Sequence, residues 1–210
     1  MKLTRTQKTI RNTAIVIALL AVLGMGLSVS FLLRVDMGTD PYTCMNNGAA
    51  AKLGISFGTW QAALNIILLI IVFLCDKKQI GWGTVFNMFL VGYVSDFVTW
   101  VTDKLVANDV FTVISVRIVI MLIALIVFVI AAALYMSAGM GVAPYDAINF
   151  IIADKIPKVP FKITRICVDA LGCFIGYLLG STVGVVTVLI VLTLGPAVQW
   201  MKEKMDALFA

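Results

Sequence analysis

Two stretches carry the reading of this chain: MGTDPYTCMNNGAAAK at 37–52 and MGVAPYDAINFIIADK at 140–155. Set at an offset of 103 residues they share Met, Gly, Pro, Tyr, Asn, Ala and Lys, seven identities in sixteen positions without a gap. A Pro-Tyr pair, an Asn four residues on and a Lys six after that marks an internal duplication. Weaker matches extend it. Phe57 aligns with Phe161, Gln61 with Arg165 and Asn65 with Asp169, while Gly81, Thr84, Gly92 and Asp96 align with Gly184, Thr187, Gly195 and Gln199. Polar positions fall on polar positions.

The composition sets the class. Of 210 residues 61% are apolar and 13% charged, about half the charge of an ordinary soluble domain. Charges collect between long apolar runs, the pattern of an integral membrane protein. The net charge of +5 is therefore expected to report topology and not nucleic-acid binding. No histidine is present, which removes the commonest metal ligand and proton shuttle. Cys44, Cys75, Cys167 and Cys173 form no Cys-x-x-Cys pair and read as small buried apolar residues. Neither a metal nor a cofactor is expected.

Six apolar stretches have the length to cross a bilayer, roughly 13–34, 58–75, 81–102, 111–136, 163–180 and 183–201. The basic N-terminus leads into a run longer than a signal-peptide core, so it is taken as the first span. With the N-terminus inside, one side of the membrane holds twelve Lys and Arg, among them Lys2, Lys77, Lys158 and Arg165. The other side holds four: Arg34, Lys52, Lys104 and Arg117. This bias predicts cytoplasmic termini at both ends. Each copy contains an odd number of spans, so two like sequences would lie in the membrane in opposite orientations. That is the inverted-repeat plan of secondary transporters, with units at 1–104 and 105–210.

Asp40-Pro41 and Ala143-Pro144 read as helix starts, because Pro suits the first helical position and Asp caps well. Pro41 to Lys52 is twelve residues, about 18 Å of helix, too short to span. Gly54 and Pro157 are stop signals. Each unit is then a span, a half-helix and two spans. Two readings stay open for the half-helices: flat at the interface, or re-entrant with an N-terminus presented to a polar cavity. A helix N-terminus favours anionic or polar groups. Asn46 and Asn149, one turn into each half-helix, should face protein or water.

Gly38 to Tyr42, the Gly-x-x-Pro-Tyr-Asp at 141–146 and GWGTVFNMFLVGYVSD at 81–96 together resemble the YczE/YitT-like bacterial membrane proteins. The likeness covers nearly the whole chain. In that family a Gly-x-Ser-Pro-Trp-Asp stretch precedes a short helix, and a Gly-x-Gly-Thr…Asn…Gly…Asp stretch forms the third span. Tyr42 and Tyr145 stand where the family often has Trp, and Thr43 replaces an Asp that Asp146 keeps. The resemblance implies fold and a bacterial plasma-membrane location more than an activity.

Charges inside apolar runs are rare and usually paired or functional. Asp96 and Arg117 lie near the outer ends of spans three and four and are expected to pair. Arg165 and Asp169, four apart, share a helix face with Asp146 and Asn149 on the same side. The neutral counterpart is Gln61, Asn65, Thr43 and Asn46. The substrate-contacting set is taken as Asp40, Pro41, Tyr42, Asn46, Asn65, Tyr145, Asp146, Asn149, Arg165 and Asp169. Gly172, Gly176 and Gly180 on span five, and Gly24 and Gly26 on span one, read as helix-packing positions. Trp82, Trp100 and Trp200 at span ends read as interfacial anchors.

Three functions fit. The first is a secondary transporter or permease for a polar or anionic small molecule. The second is the binding subunit of an energy-coupling factor transporter, for which Ala14-x-x-x-Ala18 offers a docking pattern. The third is a membrane assembly or scaffold protein. An enzyme is not expected, since no catalytic triad or phosphate-cradling loop occurs. Partners are the lipid bilayer, a small molecule, and a second copy or another membrane subunit. The charge bias yields a direct test. Reporters fused to each terminus should both read as cytoplasmic, and opposite readings would end the inverted-repeat expectation.

Overall fold

The computed structural model describes residues 5–106, 108–156, 159 and 161–209, and all regular structure in it is helical. The helices are α1 Arg5–Val35, α2 Pro41–Leu53, α3 Phe57–Cys75, α4 Trp82–Leu105, α5 Ile114–Ser137, α6 Pro144–Lys155, α7 Phe161–Leu178 and α8 Val185–Phe209. Short 3₁₀ turns lie at 77–79 and 108–111. Pro157, the expected stop after α6, lies outside the described residues, as do Lys2 and Lys158 of the charge tally.

Among the described residues four helices are long and apolar enough to cross a membrane: Thr9–Val35, Phe57–Cys75, Trp82–Leu105 and Ile114–Ser137. Their outward faces are apolar as well. Leu20, Ile70, Leu74, Phe97 and Ile126 are all exposed, the reverse of a soluble bundle and the surface a lipid environment accepts. Trp82, Trp100 and Trp200 are also exposed, as anchors would be. The expected burial of the cysteines holds for Cys44 alone, since Cys75 and Cys167 are exposed and Cys173 is half-buried. On a lipid-facing helix an outward Cys costs nothing, so burial need not follow from apolarity.

The two first helices of the duplicated units, α1 and α5, form the central pair. α1 also packs on α4, and α5 on α8. Val22, Val29 and Leu32 of α1 meet Ala124, Phe128 and Tyr135 of α5 and Val186 and Ile190 of α8 in one apolar cluster. Small residues set the distances. A Cβ on Gly24 would stand 3.3 Å from the Ala131 Cβ, and one on Gly26 2.9 Å from the Val91 carbonyl. The crossing of α3 and α4 is tighter, with a Cβ on Gly92 falling 2.6 Å from the Gly58 Cα.

The half-helices start as their sequences dictate. Asp40 caps α2 by accepting the Thr43 amide at 3.0 Å, Pro41 takes the first helical position, and Gly54 closes the helix in the left-handed conformation. Both are packed among longer helices: α2 on α7 and α3, α6 on α3 and α7. Gly172 and Gly176 of α7 make room for α2, since Cβ atoms there would stand 3.2 Å from the Pro41 carbonyl and 2.6 Å from Cys44 Sγ. Gly180 lies instead in the turn after α7, with φ +91°.

The Met-Gly turns ahead of the half-helices dock reciprocally. Met140 O accepts the Gly83 amide at 2.7 Å, and Met37 O accepts the Val186 amide at 3.2 Å. Gly38 (φ +99°) lies against Gly184 and Thr187, while Gly141 (φ +93°) lies against Gly81 and Thr84. A Cβ on Gly38 would sit 2.7 Å from the Gly184 amide, so space and backbone both demand glycine here. Each copy thus carries the turn that receives the other.

The expected Asp96–Arg117 pair is not formed. Asp96 Oδ2 accepts the Gly58 amide at 2.9 Å, at the N-terminus of α3. Arg117 donates to the carbonyls of Val35 and Asp36, capping the C-terminus of α1. Each charge meets the helix end of opposite partial charge on a different helix. The pair that does form at this end is Arg34–Asp103, at 2.6 Å.

Gly92→Ala should therefore lower stability by roughly 1–3 kcal/mol through overpacking, and Gly24→Ala by less. Thermal unfolding in detergent, scored for the order of the two variants, checks it.

Candidate functional site

The site is built from the first turns of the half-helices. Tyr42 and Tyr145, each the second residue of its helix, stack with ring centroids 4.6 Å apart and planes 28° apart. This contact joins the two duplicated stretches directly. Each hydroxyl then reaches the matched position of the following long helix. Tyr42 donates to Asn65 Oδ1 on α3 at 2.7 Å. The Tyr145 hydroxyl lies 3.1 Å from both Asp169 Oδ1 and the Val168 carbonyl on α7. Asn65 in turn donates to the Met88 carbonyl at 3.3 Å, tying the first copy's half to α4.

One half of this pair of sites is neutral and the other charged. Arg165 bridges Asp146 at 2.9 Å and Asp169 at 3.2 Å, linking α6 to α7. Asp40, the N-cap of α2, is a third acidic side chain, on the half-helix that the tyrosine stack joins to α6. The two half-helix starts and α7 thus bring three acidic side chains and one guanidinium. Among the described residues no three His, Cys, Asp or Glu side chains are arranged to hold a metal ion.

Several buried polar atoms here lack a hydrogen-bond partner. They are Asp40 Oδ2, Asn46 Oδ1 and both side-chain polar atoms of Asn149. Asn46 and Asn149 are 0% exposed. Asn46 donates its amide to the Tyr42 carbonyl at 2.7 Å, which turns the group back toward the first turn of α2. Buried unpaired polar atoms cost free energy, so each asks for a ligand, a water or a proton.

The ten substrate-contacting positions named from sequence, Asp40, Pro41, Tyr42, Asn46, Asn65, Tyr145, Asp146, Asn149, Arg165 and Asp169, thus lie on α2, α3, α6 and α7 around the tyrosine stack. Asp96 and Arg117 do not join them. Gln61 is 2% exposed and one turn before Asn65, with its Oε1 unpaired.

A second feature was not anticipated. A cavity of about 460 Å³ opens at the Arg34 end, lined by residues of α1, α2, α3 and α4 and by Phe111. Of the candidate site residues named from sequence it contains Asp96 alone. Arg34 entered the sequence reading only as a topology charge, and Asp103 and Asn47, the latter beside the duplicated Asn46, were not singled out. Their convergence comes from helix crossing, which spacing along one helix does not report.

A family model of proteins of unknown function, DUF6198, matches residues 12–203. The chain belongs to that family. An uncharacterized protein of Haemophilus influenzae is 25% identical over 190 residues, covering 90% of this chain and 83% of that one. The uncharacterized protein YyaS of Bacillus subtilis is 25% identical over 174 residues, covering 82% of this chain and 84% of its own. No solved structure matches. The family is one of unknown function with uncharacterized bacterial relatives, and none of them names YczE or YitT.

Arg165→Ala would strand two partly buried carboxylates. It should cost roughly 2–3 kcal/mol, somewhat below the value for a fully buried pair. Adding Asp146→Asn and Asp169→Asn should recover part of that loss in a thermal melt.

Proposed function

We propose that this protein is a small secondary transporter for a polar small molecule. In this reading the chain has six spans, arranged as two inverted repeats of three helices. α2 and α6 are re-entrant, and solute passes between their first turns. The protein sits in the bacterial inner membrane with both termini cytoplasmic, a relative in architecture of the YczE/YitT-like proteins.

The observation that carries the reading is the pairing of Tyr42 with Tyr145, each anchored to an equivalent position, Asn65 or Asp169. Two half-helices that meet at their N-termini inside a bundle are the construction expected of a carrier with a central site. A scaffold protein has no need of a buried Asn46 Oδ1 and a buried Asn149 side chain without hydrogen-bond partners, which cost stability. The reciprocal Met-Gly dockings supply two equivalent seats about which the units can rock. The charged half, Arg165 with Asp146 and Asp169, gives a coupling proton or ion somewhere to act.

Two earlier options lose their support. Ala14 and Ala18, offered as a docking pattern for an energy-coupling module, are buried within the chain. An anionic solute was suggested by helix N-termini, but Asp40 caps one of them and Asp146 lies in the first turn of the other. A carboxylate of the protein already caps α2, and another stands in the first turn of α6, where it would repel an anion.

The test is flux in proteoliposomes, screened over polar solutes with and without proton and sodium gradients. Asp169→Asn should cut gradient-driven uptake by about tenfold or more while leaving a folded protein, since the Tyr145 contact can survive in the amide. Full uptake by the variant, or no gradient-dependent flux of any solute by the wild type, rejects the proposal.

A further inference from the structure

The cavity at the Arg34 end is lined by apolar Leu33, Phe57 and Phe111 and by polar Ser30, Asn47, Ser95 and Thr99. Its volume of about 460 Å³ falls within the usual range for small-molecule sites. Three charges line it: Arg34, Asp96 and Asp103.

Arg34 is already engaged. It pairs with Asp103 at 2.6 Å, donates to Thr102 Oγ1 at 2.8 Å and lies 4.3 Å from the Phe111 ring centroid. Its charge is cancelled and its fork is filled. Asp96 is different. One oxygen, Oδ2, accepts the Gly58 amide, and the residue has no ion-pair partner among the described residues. The lining as a whole carries one uncompensated negative charge, together with hydroxyls, an amide and two phenyl rings. An entering carboxylate or phosphate would meet that charge and find no free cation. An entering ammonium would be attracted and would supply the N–H donors that a carboxylate accepts.

At an offset of 103 the second copy keeps part of this lining, with Ser137 for Arg34, Gln199 for Asp96, Lys202 for Thr99 and Asp206 for Asp103, but has Ala133, Phe150 and Val198 for Ser30, Asn47 and Ser95. The carboxylate of Asp96 is thus peculiar to the first copy. The sign also agrees with the tyrosine site, where carboxylates outnumber the single guanidinium of Arg165.

We infer that this cavity binds a small organic cation, a protonated amine on a short apolar body, with Asp96 as the charge contact and Phe57 and Phe111 flanking the body. As a statement about transport this rests on the carrier reading, for which it supplies the substrate class. As a statement about binding it stands alone.

Phenethylamine is the probe, with 3-phenylpropionate as its anionic match. Equilibrium binding of each to the full chain in phosphatidylcholine nanodiscs is measured against empty discs. Saturable binding of the amine and none of the carboxylate is expected. Asp96→Asn should weaken the amine by about tenfold or more through loss of a charge-assisted contact. Thr99→Leu, which keeps every charge and fills the space, should weaken it comparably, and it decides the matter if Asp96→Asn does not fold. Equal binding of both probes, no binding of the amine, or undiminished binding by Thr99→Leu overturns the inference. Amine binding with no gradient-driven flux of any solute in proteoliposomes would keep the site and reject the carrier. Gradient-driven flux of another solute with no amine binding would do the reverse.

Discussion

The ends of a helix leave backbone groups without intrahelical partners, and how α2 and α6 satisfy theirs governs much of the arrangement. Both are packed among longer helices, which supply part of the answer. At α2 the solution is local: Asp40 takes an amide, Pro41 has none to offer, and Gly54 turns the chain to close the last carbonyls. Ahead of each half-helix the solution is tertiary, because the Met37 and Met140 carbonyls are filled by amides at the start of α8 and α4. Each duplicated unit completes the other. Neither half-helix could hold its position without the opposite copy's long helices.

The tyrosine stack is the point where the two units read each other. An aromatic pair of this kind contributes about 0.5–1.5 kcal/mol beyond its buried area. Its consequence lies more in geometry than in energy. Both rings are held by their hydroxyls, one to Asn65 and the other to Asp169, so the contact positions α3 and α7 as well. The same frame carries an amide on one side and an acid held by Arg165 on the other. Duplication provided the frame, and divergence made one half ionic.

Much of this was legible in the residues. The spacing of apolar runs located the four helices long and apolar enough to span, while α1 begins well before its run and α8 ends well after its own. Proline and asparagine at matched places located the half-helices, and the i,i+4 spacing of Arg165 and Asp169 located their ion pair. The pairing of Asp96 with Arg117 was not legible, because two charges at nearby depths on neighbouring spans face each other only if the helices are rotated suitably. Here each turned toward a helix end instead. The exposed Cys75 and Cys167 show a related limit, since an apolar sequence in a membrane-type chain has no single inward side.

By itself the sequence determined an all-helical chain with membrane-type apolar helices, a stretch that recurs at a fixed offset and the existence of two short helices between long ones. Those follow from local rules: apolar length, helix capping, and identity at a fixed offset. The tertiary structure alone decided which glycines lie at crossings, that the two tyrosines touch, and that Arg34, Asp96 and Asp103 converge on a cavity. Such facts depend on the rotation and crossing of whole helices. Those are set by the summed packing of every interface at once, which no single stretch of sequence encodes.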